Sequence, residues 1–155
     1  MSPYLLLKTL HILTATLLFG TGLGSAYYAW RAWRSGQLQV IATTFRHLVS
    51  ADWLFIATSA VFQPLSGLGL AYWAGWPLAQ GWLLWSLGLY VFAGLCWLPV
   101  VWLQIRVRDL AEAATAAGTA LPPRAFFYMR WWFALGWPAF LAFLAIFWLM
   151  VNKPL

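Results

Sequence analysis

The stretch WLFIATSAVFQPLSGLGLAYWAGWPLAQGWLLWSLGLYVFAGLCWLPVVWLQI, residues 53–105, contains no charged side chain. A helix crosses the hydrocarbon core with about 20 mostly apolar residues, so the stretch holds roughly two crossings and must fold back on itself. The break is Ala74-Gly75-Trp76-Pro77, continued by Gln80-Gly81, where glycine supplies turn geometry and proline lacks an N–H. On either side, Thr9 to Trp30 and Trp131 to Asn152 are further uncharged runs, each about one crossing long. The reading is an all-α fold, a four-helix transmembrane bundle. Its helices fall at about 4–34, 40–74, 80–117 and 124–151, and residues 1–155 form a single integral membrane domain.

Composition agrees. Soluble domains are about 25% charged, whereas this chain is 8% charged and 64% hydrophobic, with a mean hydropathy of +0.78. So few charges cannot cover a water-facing surface, and lipid must supply much of the environment. The net charge of +6 does not indicate a nucleic-acid partner, because the basic residues bracket apolar runs and form no basic face. The single cysteine, Cys96, allows no intrachain disulfide. Lys8, an apolar stretch and Gly24-Ser25-Ala26 outline a signal peptide, but one lysine inside hydrophobic sequence makes a poor basic region. A retained membrane helix is expected there.

Arg31, Arg34 and Arg46 lie at the first connection; Arg106, Arg108, Arg124 and Arg130 lie at the third. The positive-inside rule puts both connections in the cytoplasm and predicts an N-out/C-out chain. The third helix is too long for the bilayer alone, so its end at Arg108-Asp109-Leu110-Ala111-Glu112 is expected to extend into the cytoplasm. Arg108 and Glu112 are spaced to pair there, before Gly118 and Pro122-Pro123 stop the helix. Trp30, Trp33, Trp73, Trp76, Trp82, Trp102, Trp131 and Trp132 sit near run ends and suit interfacial belts. Gly20 and Gly24 form a Gly-x-x-x-Gly step suited to close helix approach. Pro64, Pro99 and Pro138 put a kink in each of the last three helices.

His11 is the residue most suggestive of chemistry. It lies about 12 Å into the first helix, inside the membrane, where ionisable groups mark function by default. Folding the first hairpin brings it level with Gln63, which could satisfy it by a hydrogen bond; imidazole is equally an axial ligand for haem iron. Asp52, Ser59, Gln63 and Ser66 form a polar stripe on one face of the second helix. The stripe must face the bundle interior, as a proton path, a quinone headgroup site or interhelical glue. Asp52 is expected beside Arg46 or Arg130. His47 and Met129 lie at similar depth and are a weaker haem-ligand pair. About 27 Å of helical rise separates His11 from His47, so the two histidines cannot share one haem. No zinc spacing, phosphate loop or Ser-His-Asp set is present.

Several segments resemble a family of bacterial predicted integral membrane proteins of unknown function, a resemblance that implies the bacterial inner membrane as the location. They are Tyr4 to Leu13, Leu18 to Gly24, Ala51-Asp52-Trp53-Leu54, Gln63-Pro64-Leu65-Ser66-Gly67, Trp97 to Arg106 and Trp131 to Pro138. The Lys8-Thr9-Leu10-His11 element is also similar, more distantly, to HemJ-type protoporphyrinogen oxidases and copper-resistance D proteins. That likeness implies haem b at His11. The HemJ-type third helix carries further His and Lys residues, where this chain has Leu84, Ser86 and Trp97. Two functions therefore stand at this point: a haem-containing redox protein using His11, or a non-enzymatic membrane subunit whose polar residues are structural. The partners in view are the lipid bilayer, a second copy or other membrane protein, and a quinone.

Overall fold

The computed structural model describes residues 2–154. Among them the chain is all-helical, with α1 at Pro3–Ser35, α2 at Leu38–Trp73, α3 at Gly81–Ala117 and α4 at Pro123–Asn152. Each helix is long and apolar enough to cross a membrane. Glycines in the left-handed conformation end α1 (Gly36, φ 65°) and α3 (Gly118, φ 62°), where a side chain would be strained. Gly75 (φ 71°) does the same in the α2–α3 turn.

The outward face is covered by large apolar side chains; Tyr72 and Val151 are 81% and 82% exposed. Water would make such a surface an aggregation site. Lipid tails are as apolar as leucine and accept it without penalty.

The helices form two hairpins, α1/α2 and α3/α4. They meet closely at the arginine-rich end, where residues 38–51 of α2 pack against α3. Ala29, Ala42 and Ala111 let backbones approach there, around fully buried Phe45 and Val107 and beside Met129 and Trp132. Toward the end that carries both termini the hairpins diverge. There α1 and α4 touch mainly through aromatic rings: Phe19 against Phe140 and Phe147, centroids 5.5 and 5.2 Å apart. Nearer the arginine-rich end, Trp33 meets Phe126 at 5.1 Å.

α2 is not a continuous α-helix. Asp52–Ala57 is π-helical, between α-helical Leu38–Ala51 and Thr58–Trp73. The i→i+5 turns take up extra residues and rotate everything beyond them relative to an unbroken α-helix. The stripe that looks like one face in sequence is thereby divided. Asp52 faces α3, while Gln63 and Ser66 face α1. Farther along, Pro64 has no N–H to give the carbonyl of Ala60, and Tyr90 Oη donates to that oxygen at 2.6 Å. The proline thus produces a bond between the hairpins.

Several contacts differ from the sequence expectation. Arg46, not Arg108, pairs with Glu112: both Nε and Nη2 of Arg46 lie 2.8 Å from Oε1. Arg108 instead holds the adjacent Asp109 at 2.8 Å. The long α3 brings Glu112 alongside the start of α2, which gives it a better-placed cation than its helix neighbour. Neither Gly20 nor Gly24 is a packing point, since a Cβ built on either meets nothing within 4 Å. The close approach is made by Gly67 and Gly69 of α2, where a Cβ would lie 3.3 Å from His11 Cε1 and from Leu7 Cδ2. Trp82 and Trp132 are buried, each 5% exposed, and do not belong to an interfacial belt.

Candidate functional site: two cavities between the hairpins

The divergence of the hairpins leaves two cavities. Tyr90 and Phe143 form part of the wall of both and stand between them.

The cavity nearer the termini, of about 410 Å³, is bordered by His11. The ring is held from α2. Ser66 Oγ lies 2.7 Å from His11 Nδ1 and also 2.7 Å from the Phe62 carbonyl. A hydroxyl has one hydrogen, and the carbonyl can only accept, so Ser66 donates to Phe62 and accepts from His11 Nδ1–H. That fixes the tautomer and leaves Nε2 with its lone pair free. Gln63 does not satisfy the ring. Its Nε2 donates to the His11 carbonyl at 2.8 Å and to Thr14 Oγ1 at 2.6 Å, which pins the α1 backbone. Gly67 opposite keeps room for the imidazole.

The same cavity is lined by Lys8, Trp76, Trp82, Met150 and Lys153. Lys153 Nζ sits 5.5 and 5.8 Å from the ring centroids of Trp76 and Trp82, within cation–π range. Trp82 Nε1 is buried and has no hydrogen-bond partner among the described residues. Indole N–H is a donor only, so it is suited to an incoming acceptor.

The second cavity, of about 560 Å³, lies closer to the arginine-rich end and borders Asp52. Asp52 is 3% exposed and is not met by Arg46 or Arg130. It accepts from Gln104 Nε2 at 2.7 Å, and Gln104 Oε1 accepts from Trp132 Nε1 at 3.1 Å. Three helices therefore contribute one chain, Trp132 to Gln104 to Asp52. Ser59 is buried, 3% exposed, and lines neither cavity.

His47 and Met129 are not brought together at either cavity. His47 is exposed on α2, and Met129, 2% exposed, is packed into the apolar core with Phe45 and Val107. Among the described residues no three His, Cys, Asp or Glu side chains form a group that could hold a metal ion. Gln104 and Trp132 were not singled out by the sequence reading. The signal for Gln104 was present, an amide deep in an apolar run, but Trp132 had no mark separating it from the belt tryptophans.

The family described as "Predicted integral membrane protein (DUF2269)" matches residues 5–154. The chain belongs to this family. Membership accounts for the four apolar helices and carries no activity with it. Comparison with curated proteins and with solved structures gives no match, so the likeness to HemJ-type and copper-resistance D proteins finds no support there.

Proposed function

We propose that this DUF2269 protein is a haem-binding redox protein of the bacterial inner membrane, with the termini outside and His11 Nε2 as the atom that would hold the iron of haem b. The observation that carries the reading is the His11 ring itself. Metal-ligating histidines typically donate their second N–H to a fixed acceptor, which sets ring orientation and tautomer. Ser66 does this for His11, and it is fixed in turn by Phe62. The cavity beside the ring suits the rest of the cofactor. It is walled mainly by apolar and aromatic side chains, while Trp82 Nε1, Lys8 and Lys153 offer donors for carboxylate groups. When bound, haem b supplies one-electron chemistry. Of the chain's own residues, His11 and Ser66 would hold the group, the apolar wall would exclude water, and Lys8 and Lys153 would neutralise its carboxylates. The outward placement of the termini rests on the arginines at the first and third connections.

The absorption spectrum of the detergent-purified full chain tests this. A Soret band is expected that is lost in His11→Ala and kept in His47→Ala. A colourless, folded protein after expression with ample haem overturns the proposal.

A second reading, a non-enzymatic subunit, draws on Gly20 and Gly24. A Cβ built on either meets nothing within 4 Å, so both are suited to the close approach of a partner helix or a second copy.

A further inference from the structure

The Asp52 cavity has no role in the haem reading, and its construction is specific. Gly22 of α1, Gly94 of α3 and Gly136 of α4 line it, and a Cβ added at any of the three meets nothing within 4 Å. These glycines are not there to let helices touch. They leave space. The cavity runs out to Leu23, Leu95 and Trp137, which are exposed on the lipid-facing surface. It thus has a side opening on the bilayer. Along α1 and α4, exposed Leu23 and Trp137 fall between the Phe19–Phe140 contact and the Trp33–Phe126 contact that join the two helices.

At its inner edge the hydrogen bonding has a fixed direction. Indole N–H donates only, so Gln104 must turn Oε1 to Trp132 and Nε2 to Asp52. Asp52 Oδ2 is therefore an acceptor; Oδ1 has no hydrogen bond to a side chain among the described residues, and in the carboxylate form it too can only accept. A carboxylate oxygen that borders an apolar cavity is stabilised when a ligand there supplies a donor. A ligand arriving from the bilayer crosses hydrocarbon, where a charged group is expensive, so a neutral donor is favoured. Phe133, Phe140 and Trp97 around the cavity suit a flat ring.

We infer that this cavity binds a membrane quinol, with a ring hydroxyl donating to Asp52 Oδ1 and the isoprenoid tail passing through the side opening into lipid. The inference concerns binding and does not rest on haem at His11.

The direction of the hydrogen bonds yields its test. In Asp52→Asn, Gln104 Nε2 still requires an acceptor, so the new amide must turn its oxygen to Gln104 and its NH₂ to the cavity. The group facing the ligand changes from acceptor to donor. The full-length protein in detergent is titrated with a decyl-tailed benzoquinol under reducing conditions and with the corresponding benzoquinone. The native chain is expected to bind the quinol about tenfold tighter than the quinone, the scale of one correctly paired hydrogen bond, and Asp52→Asn to reverse the order. Gly94→Leu places its side chain in the open space and is expected to abolish binding of both. Equal affinity for quinol and quinone in native protein and Asp52→Asn overturns the inference, leaving the cavity as a seat for a lipid acyl chain. So does undiminished binding in Gly94→Leu. The Soret band in Asp52→Asn reports separately on the His11 reading, which this variant leaves unchanged.

Discussion

The two ends of this bundle solve opposite problems with the same kind of helix. At the arginine-rich end, alanines bring α2 and α3 together around the fully buried Phe45 and Val107. Toward the termini the hairpins part, glycines face open volume, and polar side chains cross the gap singly. Lipid gives no hydrophobic drive for helix association, so packing and hydrogen bonds must hold the bundle. The tight end supplies the packing, and the open end is free to take ligands.

The largest expected effect probes that contrast directly. Phe45→Ala empties a fully buried site and is expected to lower stability to unfolding by about 3–5 kcal/mol. Gly136→Ala, in the open half, adds a methyl group where nothing lies within 4 Å. It is expected to raise stability by about 0.5–1 kcal/mol, the helix preference of alanine over glycine. Both are read by titrating the detergent-solubilised protein with a denaturing surfactant. Equal losses in the two variants would break the comparison.

A smaller effect concerns how the open half is bridged. Tyr90→Phe removes the donor to the Ala60 carbonyl and is expected to cost about 1 kcal/mol. That carbonyl lacks a helical partner because residue 64 is proline. Pro64→Ala restores an N–H within the helix, so Tyr90→Phe is expected to cost much less in that background. The double-mutant cycle isolates the coupling. An unchanged cost in both backgrounds would assign the bond to simple packing and not to the proline.

How much of this was legible in the sequence follows from the same contrast. The four helices and their turns were readable because charge, apolar runs and Gly/Pro breaks act locally; the Ala74-Gly75-Trp76-Pro77 break became the α2–α3 turn. His11 and the stripe were readable as polar groups in apolar surroundings. The π-helical stretch Asp52–Ala57 had no local mark, and without it one stripe cannot serve two partners. Asp52 was expected beside a cation on charge alone, whereas its partner is a neutral amide from a helix far away in sequence. The Ser66 hydroxyl took the imidazole in place of Gln63 because the rotated register set it opposite the ring. Local rules find the groups; they do not find which helix each one meets.

The smallest effect lies at the tight end's rim. Arg46 and Glu112 join α2 to the last turns of α3, with side chains 60% and 37% exposed. Exposed pairs of this kind contribute about 0–1 kcal/mol and weaken with salt. Glu112→Gln keeps the size of the side chain and is expected to cost about 0.5 kcal/mol at low ionic strength and close to nothing at about 1 M salt, where screening falls to a few ångströms. A cost that persists undiminished at high salt would mean that the bond acts as a buried, desolvated pair. The tight end would then be held by charge as well as by the alanine and phenylalanine packing around Phe45.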